Sequence, residues 1–280
     1  MKLMRISTYL GTVAVAAGMA AFTTMSQEFK PDSNQQVLEV AAKTTRDLKL
    51  KYLLFLPKDY AAKPDKTWPL LLFLHGAGER GTNIWLVTKH GPPKIVRDKP
   101  DFPFLVASPQ CPSGQVWQDD ALLALLDQVT AGYRVDKARI YLTGLSMGGY
   151  GSWSLAVTHP ERFAAVAPIC GGGDIVRVLL AEGAKAEALR SLPVWAFHGG
   201  KDNVVKVAES ERMVATLKQF GCKAVELTVY PEAGHDSWTE SYNNPKLYDW
   251  FLSHQRRPAA RKRTKPRATR PRAVAKRRTR

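Results

Sequence analysis

Cysteine is scarce in this sequence, and its distribution limits its possible roles. Of 280 residues only Cys111, Cys170 and Cys222 are cysteines, and they form no metal-spaced cluster. No cysteine precedes Cys111, which argues against a lipid-modified cysteine near the N-terminus. Because their number is odd, at least one thiol stays free within a monomer, and the sequence requires no disulfide.

The sequence also lacks internal repeats and a Gly/Ser-rich linker that would divide its middle. Hydrophobic residues make up 45% of the chain, enough for one substantial core at this length. These two absences predict a single main domain, residues 26–255, with short flanking segments.

Acidic residues are absent from the last 25 positions, where the positive charge is concentrated. The formal net charge is +16, but residues 256–280 hold 13 Lys or Arg, so the remaining chain carries only +3. With three prolines and little apolar content, this tail is expected to be disordered. It predicts salt-dependent contact with polyanions, or else only a solubilising role. No aromatic interleaves the charges, so nucleic acid is not an obligatory partner.

The N-terminus lacks an apolar run long enough to span a membrane. Lys2 and Arg5 precede an apolar stretch over residues 9–22, shorter than the roughly 20 residues that a spanning helix needs. A basic start before a short apolar run is typical of a secretory signal peptide. We therefore expect residues 1–25 to direct export to the periplasm or beyond. The alternatives are an uncleaved anchor, or translation from Met25 and a cytoplasmic protein.

Short apolar runs alternate with helical patterns through the middle of the chain. This alternation predicts βαβ units and a mostly parallel α/β sheet with helices on both faces. The predicted strands are residues 48–56, 69–74, 104–108, 140–143, 164–169, 193–198 and 224–229. The predicted helices are residues 119–133, 147–158, 208–220 and 246–254. Residues 171–192 offer about one short helix, so no large lid is expected.

The most informative local pattern is G-x-S-x-G over residues 144–148, between a predicted strand and a predicted helix. A serine nucleophile on a strained strand-to-helix turn needs small neighbours, and the following helix directs its N-terminal amides at the same point. Five residues with two glycines also occur by chance, but the strand–turn–helix context favours Ser146 as a nucleophile.

A serine nucleophile needs a histidine base, and His235 fits that role best among six histidines. It follows the last predicted strand, as the chain order serine, acid, histidine requires. His75 and His198 end their own strands and are interpreted as packing residues. The positions of the others favour no catalytic role: His90, His159 and His254.

The acid that orients the base should lie between Ser146 and His235, just after a strand. Asp202 fits, and Asp174 is the alternative. Either aspartate could instead cap the helix that follows it. Asp236 adjoins His235, which directs its carboxylate away from the ring.

The oxyanion of an acyl-transfer intermediate needs two hydrogen-bond donors. We expect one from the amide of Met147 and the other from Ala77 or Gly76, with Ala77 preferred. A simple glycine turn is the alternative for the second loop. Trp117 and Trp238 are candidate walls of the substrate cleft, or equally core residues.

Four motifs together resemble a known group of enzymes: residues 75–81 (HGAGERG), 144–149 (GLSMGG), 198–202 (HGGKD) and 234–236 (GHD). They are similar to the dienelactone hydrolases, phospholipase/carboxylesterases and polyhydroxybutyrate-depolymerase-like esterases. The resemblance spans roughly residues 45–255. It implies the α/β-hydrolase fold with an eight-stranded sheet and carboxylic-ester hydrolysis, and it implies no cofactor or metal.

The resemblance carries further expectations. True dienelactone hydrolases use cysteine where this chain has Ser146. If the family strand order applies, Cys111 and Cys170 lie three strand spacings apart, roughly 14 Å, so a disulfide between them would require their loops to fold toward each other. An open cleft predicts small-molecule or polymer-attached ester substrates. A serine peptidase of the prolyl-oligopeptidase type and a polyanion-binding protein with an inactive hydrolase body are the alternative functions; the oligomeric state is not predicted.

Overall fold

The computed structural model describes residues 47–256. The expected signal segment, residues 1–25, and nearly all of the basic tail lie outside the described residues. Arg256, the first residue of that tail, is hydrogen-bonded to the folded domain. Its amide donates to the carbonyl of Ala138 at 2.7 Å, and its guanidinium donates to the carbonyls of Glu161 and Lys137.

The described residues form one seven-stranded sheet with the order β1-β3-β2-β4-β5-β6-β7. The strands are Tyr52–Phe55 (β1), Trp68–Leu74 (β2), Leu105–Pro109 (β3), Val135–Leu145 (β4), Ala165–Ile169 (β5), Val194–Gly199 (β6) and Val225–Tyr230 (β7). Only β1 is antiparallel to its neighbour. The mostly parallel sheet confirms the predicted fold class.

Three details of the sheet differ from the prediction. The described part of the chain contains seven strands rather than eight. The antiparallel strand β1 forms one edge of the sheet and β7 forms the other. The first strand is shorter than residues 48–56, because Leu48 and Leu56 are exposed and pair with no strand. The fourth is longer than residues 140–143, because Val135 already pairs with Trp68 ahead of a bulge.

Helices cover both faces of the sheet. They are Gly91–Ile95 (α1), Asp119–Gly132 (α2), Met147–Thr158 (α3), Ile175–Leu179 (α4), Gly183–Ser191 (α5), Ala208–Gln219 (α6), Trp238–Asn243 (α7) and Pro245–Ser253 (α8). Short 3₁₀ helices cover Ala77–Glu79, Ile84–Lys89 and Pro160–Arg162. One hydrophobic core contains residues of α2, α3, α5 and α6, and a second contains residues of α7 and α8. Because both faces of the sheet are buried, the central strands are continuous apolar runs in the sequence.

The segment after β5 contains two short helices, α4 and α5, where the sequence predicted one. Both are shorter than three turns, so no large lid covers the sheet within residues 47–256. In the same described range, no helix has the length and apolar character needed to cross a membrane.

Candidate active site

Ser146 lies on a sharp turn between β4 and α3. Its backbone has φ 52° and ψ −117°, a left-handed φ that non-glycine residues rarely adopt. The turn is held because the Ser146 amide donates to the carbonyl of Ile169 at 3.0 Å and contacts the Sγ of Cys170 at 3.3 Å. Such a strained turn exposes the side chain at the carboxyl edge of the sheet, as a nucleophile requires.

The flanking glycines allow the backbone to approach closely at this turn. A Cβ on Gly148 would lie 2.0 Å from the carbonyl oxygen of Leu74, and a Cβ on Gly144 would lie 2.4 Å from that of Gly148. Neither distance is possible for real atoms. Helix α3 can therefore pack against β2 only if residue 148 has no side chain.

Changing Gly148 to alanine is expected to lower the free energy of unfolding by about 1–3 kcal/mol or more, because the backbone of β2 must move. Denaturant titration monitored by circular dichroism measures the loss. The matched control is Gly132→Ala, since a Cβ there meets nothing within 4 Å. Equal effects in both variants would contradict the steric explanation.

The structure brings the three predicted residues together in one hydrogen-bonded chain. Nε2 of His235 lies 2.9 Å from the Oγ of Ser146, and its Nδ1 lies 2.7 Å from the Oδ2 of Asp202. With the proton on Nδ1, the ring donates to Asp202 and accepts from the Ser146 hydroxyl. The three side chains come from loops after β4, β6 and β7, whose carboxyl ends share one edge of the sheet.

The carboxylate of Asp202 is fully buried and well supplied with donors. Its Oδ1 accepts from the amides of Val204 at 2.8 Å and Val205 at 2.9 Å, and a second ring, His198, lies 3.3 Å from its Oδ2. Burial by itself raises the pKa of Asp202, but the bonds from His235 and the two amides outweigh burial, so its pKa lies below 3.8. Asp202 is therefore ionised at neutral pH.

Two backbone amides near the serine are available to an oxyanion. Within the described residues, neither the amide of Met147 nor that of Ala77 has an acceptor. Each is the first residue of its helix, where amides have no intrahelical partner. Gly76, which directly precedes Ala77, is buried, and a Cβ on it would lie 2.8 Å from the side chain of Leu145. The arrangement suits the predicted donors, with the choice between Ala77 and Gly76 still a prediction.

Comparison with known proteins gives consistent matches. A family model described as phospholipase/carboxylesterase matches residues 118–246. The chain is 28% identical over 192 residues to a bifunctional acetylxylan esterase/xylanase of Neocallimastix patriciarum, covering 65% of this chain and 26% of that protein. Over 48 residues it is 42% identical to poly(3-hydroxyalkanoate) depolymerase C of Paucimonas lemoignei, covering 17% of this chain and 12% of that protein. The chain thus spans about a quarter or less of these two relatives.

Among solved structures, a thermostable esterase superposes with a TM-score of 0.62 at 34% identity, covering 74% of this chain and 60% of that one. The chain has the α/β-hydrolase fold. The matches also confirm the resemblance of the chain to esterases.

Two clefts lie beside the hydrogen-bonded residues Ser146, His235 and Asp202. One, of about 500 Å³, borders Ser146 and is lined by Trp117, Met147 and Tyr150, among others. Trp117 is 9% exposed and its indole N–H donates to the carbonyl of His75, so it is both a wall and a packed residue. The other cleft, of about 530 Å³, is lined by Trp238 and His90.

Cys170 lies behind the nucleophile and was not identified as part of the site from the sequence. Its Sγ, the carboxylate of Asp202 and the ring of His235 offer ligand atoms within 4.8 Å of one another, the one such group among residues 47–256. Burial raises the pKa of the Cys170 thiol to about 12, which disfavours the thiolate that binds metals. All three cysteines are buried with free thiols.

The alternative site residues have structural roles. Asp174 caps α4, with its Oδ1 accepting from the amide of Val176 at 2.9 Å. His75 is 1% exposed and its Nε2 accepts from the amide of Cys111, which supports the interpretation as a packing residue. Asp236 is exposed.

Gln110 had no predicted role. Its buried side-chain amide donates to the carbonyls of Glu79 at 2.9 Å and Asn83 at 2.7 Å. It therefore holds together the loop that is expected to supply the second oxyanion donor. Only its position directly after a strand could have indicated this function.

Proposed function

We propose that the protein is a serine carboxylic-ester hydrolase that acts through an acyl-enzyme intermediate. The observation that carries the proposal is the hydrogen-bonded chain Ser146–His235–Asp202, with distances of 2.9 and 2.7 Å. In the first half of the reaction, His235 accepts the Ser146 proton while Oγ attacks the ester carbonyl. The amides of Met147 and Ala77 then stabilise the negative oxygen.

His235 donates its proton to the alcohol oxygen as the ester C–O bond breaks, which leaves the acyl group on Ser146. In the second half, His235 activates a water molecule. Water attacks the acyl carbonyl, the acid leaves, and the proton returns to Ser146. Asp202, ionised at neutral pH, stabilises the transient imidazolium and fixes the ring orientation.

The shape of the site supports bulky or polymer-attached substrates. No large lid is present within the described residues, and the cleft beside Ser146, about 500 Å³, is within the usual range of ligand clefts. Its walls are mostly apolar, which suits an acyl group. The similarity to a bifunctional acetylxylan esterase/xylanase agrees with an ester carried by a polymer.

A substrate panel tests the proposal. We expect hydrolysis of p-nitrophenyl acetate and butyrate, methyl ferulate or acetylated sugars, together with covalent labelling by a fluorophosphonate probe. Peptide p-nitroanilides serve as the comparison class. Hydrolysis of the anilides without hydrolysis of any ester would favour a peptidase, and absence of both turnover and labelling would refute the proposal.

A further inference from the structure

Glu79 is a buried acid beside the nucleophile that the catalytic cycle does not use. It ends the 3₁₀ helix that begins at Ala77 and is 5% exposed. Its Oε2 lies 3.3 Å from the position that a Cβ on Gly76 would occupy, and the Cβ of Ser146 lies 3.6 Å from the same position. The carboxylate therefore lies close to the nucleophile, on the side of Gly76.

This carboxylate lacks a hydrogen-bond donor among residues 47–256. The Nε2 of His90 lies 3.8 Å from its Oε1, beyond hydrogen-bond distance. Burial lowers the pKa of His90, and Lys89 and Lys94 oppose the raising effect of Glu79, so the ring is neutral at neutral pH. The Glu79 side chain is 7% exposed and has solvent as its source of hydrogen-bond donors, so a hydroxyl of a bound substrate can replace that solvent.

The backbone of the turn that carries Glu79 is also held in position. Its backbone carbonyl accepts from Gln110 at 2.9 Å, and the next residue, Arg80, donates from Nε to the carbonyl of Ala77 at 2.9 Å. These bonds fix the backbone of the turn that carries Glu79, so little backbone reorganisation precedes binding.

The position of the general acid shows which half of the ester lies near Glu79. His235 must reach the leaving oxygen to protonate it, so the alcohol half lies on the His235 side of Ser146. On that side Trp238 packs edge-on against His235, with ring centroids 5.3 Å apart, and His90 packs against Trp238 at 5.4 Å. The cleft of about 530 Å³ begins at these two rings and continues past exposed charged residues.

We propose that Glu79 is a specificity-determining residue that accepts a hydrogen bond from a free hydroxyl on the alcohol half of the ester. The substrate class is then an ester of a polyhydroxy alcohol, with the rest of that alcohol in the cleft beyond His90 and Trp238. A hydroxyl fits better than an ammonium group, because Lys89 and Lys94 already place positive charge on this side. The inference rests on the proposed esterase function.

Two acetates that differ by one hydroxyl test the inference: cyclohexyl acetate and trans-2-hydroxycyclohexyl acetate. For the wild type we expect kcat/KM to favour the hydroxylated ester by at least about tenfold, because a buried acceptor discriminates against a substrate without the donor. Glu79→Leu removes the acceptor and brings this ratio close to one. Glu79→Gln keeps an uncharged acceptor and leaves a smaller preference.

Glu187→Gln, an exposed change on α5, is the matched control and should leave the ratio unchanged. Melting curves establish that the variants are folded. If the Glu79 variants lose activity on both acetates in equal proportion, or if the wild type shows no preference, the inference is overturned and the esterase proposal stands. Failure of the esterase proposal is different: the wild type would hydrolyse neither acetate.

Discussion

Replacing Ser146 with alanine should lower kcat for p-nitrophenyl acetate by roughly a million-fold, the loss seen when a catalytic serine that acts as part of a triad is removed. The variant keeps both oxyanion amides and the His235–Asp202 pair, but it has no oxygen to acylate. KM should change much less than kcat, because the walls of the cleft are unaltered. Steady-state kinetics on the purified variant give both constants.

The matched control is Ser191→Ala, an exposed serine on α5 whose hydroxyl donates only to a backbone carbonyl. It should retain wild-type activity and fluorophosphonate labelling, whereas Ser146→Ala should lose both. Near-wild-type turnover by Ser146→Ala, after contaminating esterase has been excluded, would refute the assignment of the nucleophile.

The sequence was sufficient to predict the convergence of the three catalytic candidates. Each follows a strand of a parallel sheet, and β4, β5, β6 and β7 are consecutive neighbours, so their carboxyl ends form one edge. Helix α3 begins and ends at the predicted residues, Met147 and Thr158, because the glycine turn and Pro160 mark both ends. Local chemistry and strand topology together determine this part of the site.

Contacts between distant loops could not be predicted in the same way. Gln110 reaches the carbonyl of Glu79 across 31 residues, and Cys170 contacts the amide of Ser146 across 24. Neither contact leaves a periodic pattern, because each depends on how two loops approach each other after folding. The low exposure of the Glu79 carboxylate could not be predicted for the same reason, since a glutamate in a loop is usually solvated.

Replacing Asp202 with asparagine should lower kcat by about ten-thousandfold while the fold is retained. The Asp202 carboxylate accepts the Nδ1 proton of His235, and this leaves Nε2 free to accept from Ser146. The side-chain amide of asparagine can instead donate to Nδ1, which favours the His235 tautomer with its proton on Nε2. A protonated Nε2 cannot accept the proton of Ser146. Rates measured with the ester used for Ser146→Ala test this expectation.

Asp174→Asn is the matched control, because asparagine caps helices as well as aspartate does and α4 should keep its cap. Its activity should stay at the wild-type level. Loss of activity in Asp174→Asn together with full activity in Asp202→Asn would show that the acid had been assigned to the wrong loop.

The Asp202→Asn substitution should also separate the proposed role of Asp202 in catalysis from its role in stability. Because the pKa of Asp202 is lowered in the folded protein, its ionisation stabilises the native state above the unfolded value, near 3.8, and that contribution disappears as the pH falls through the lower folded value. The difference in unfolding free energy between the wild type and Asp202→Asn should therefore be constant from pH 5 to 8 and decrease only in stronger acid. Denaturant titrations at several pH values measure it. A difference that already decreases near pH 6 would mean that a group other than the Asp202 carboxylate controls it.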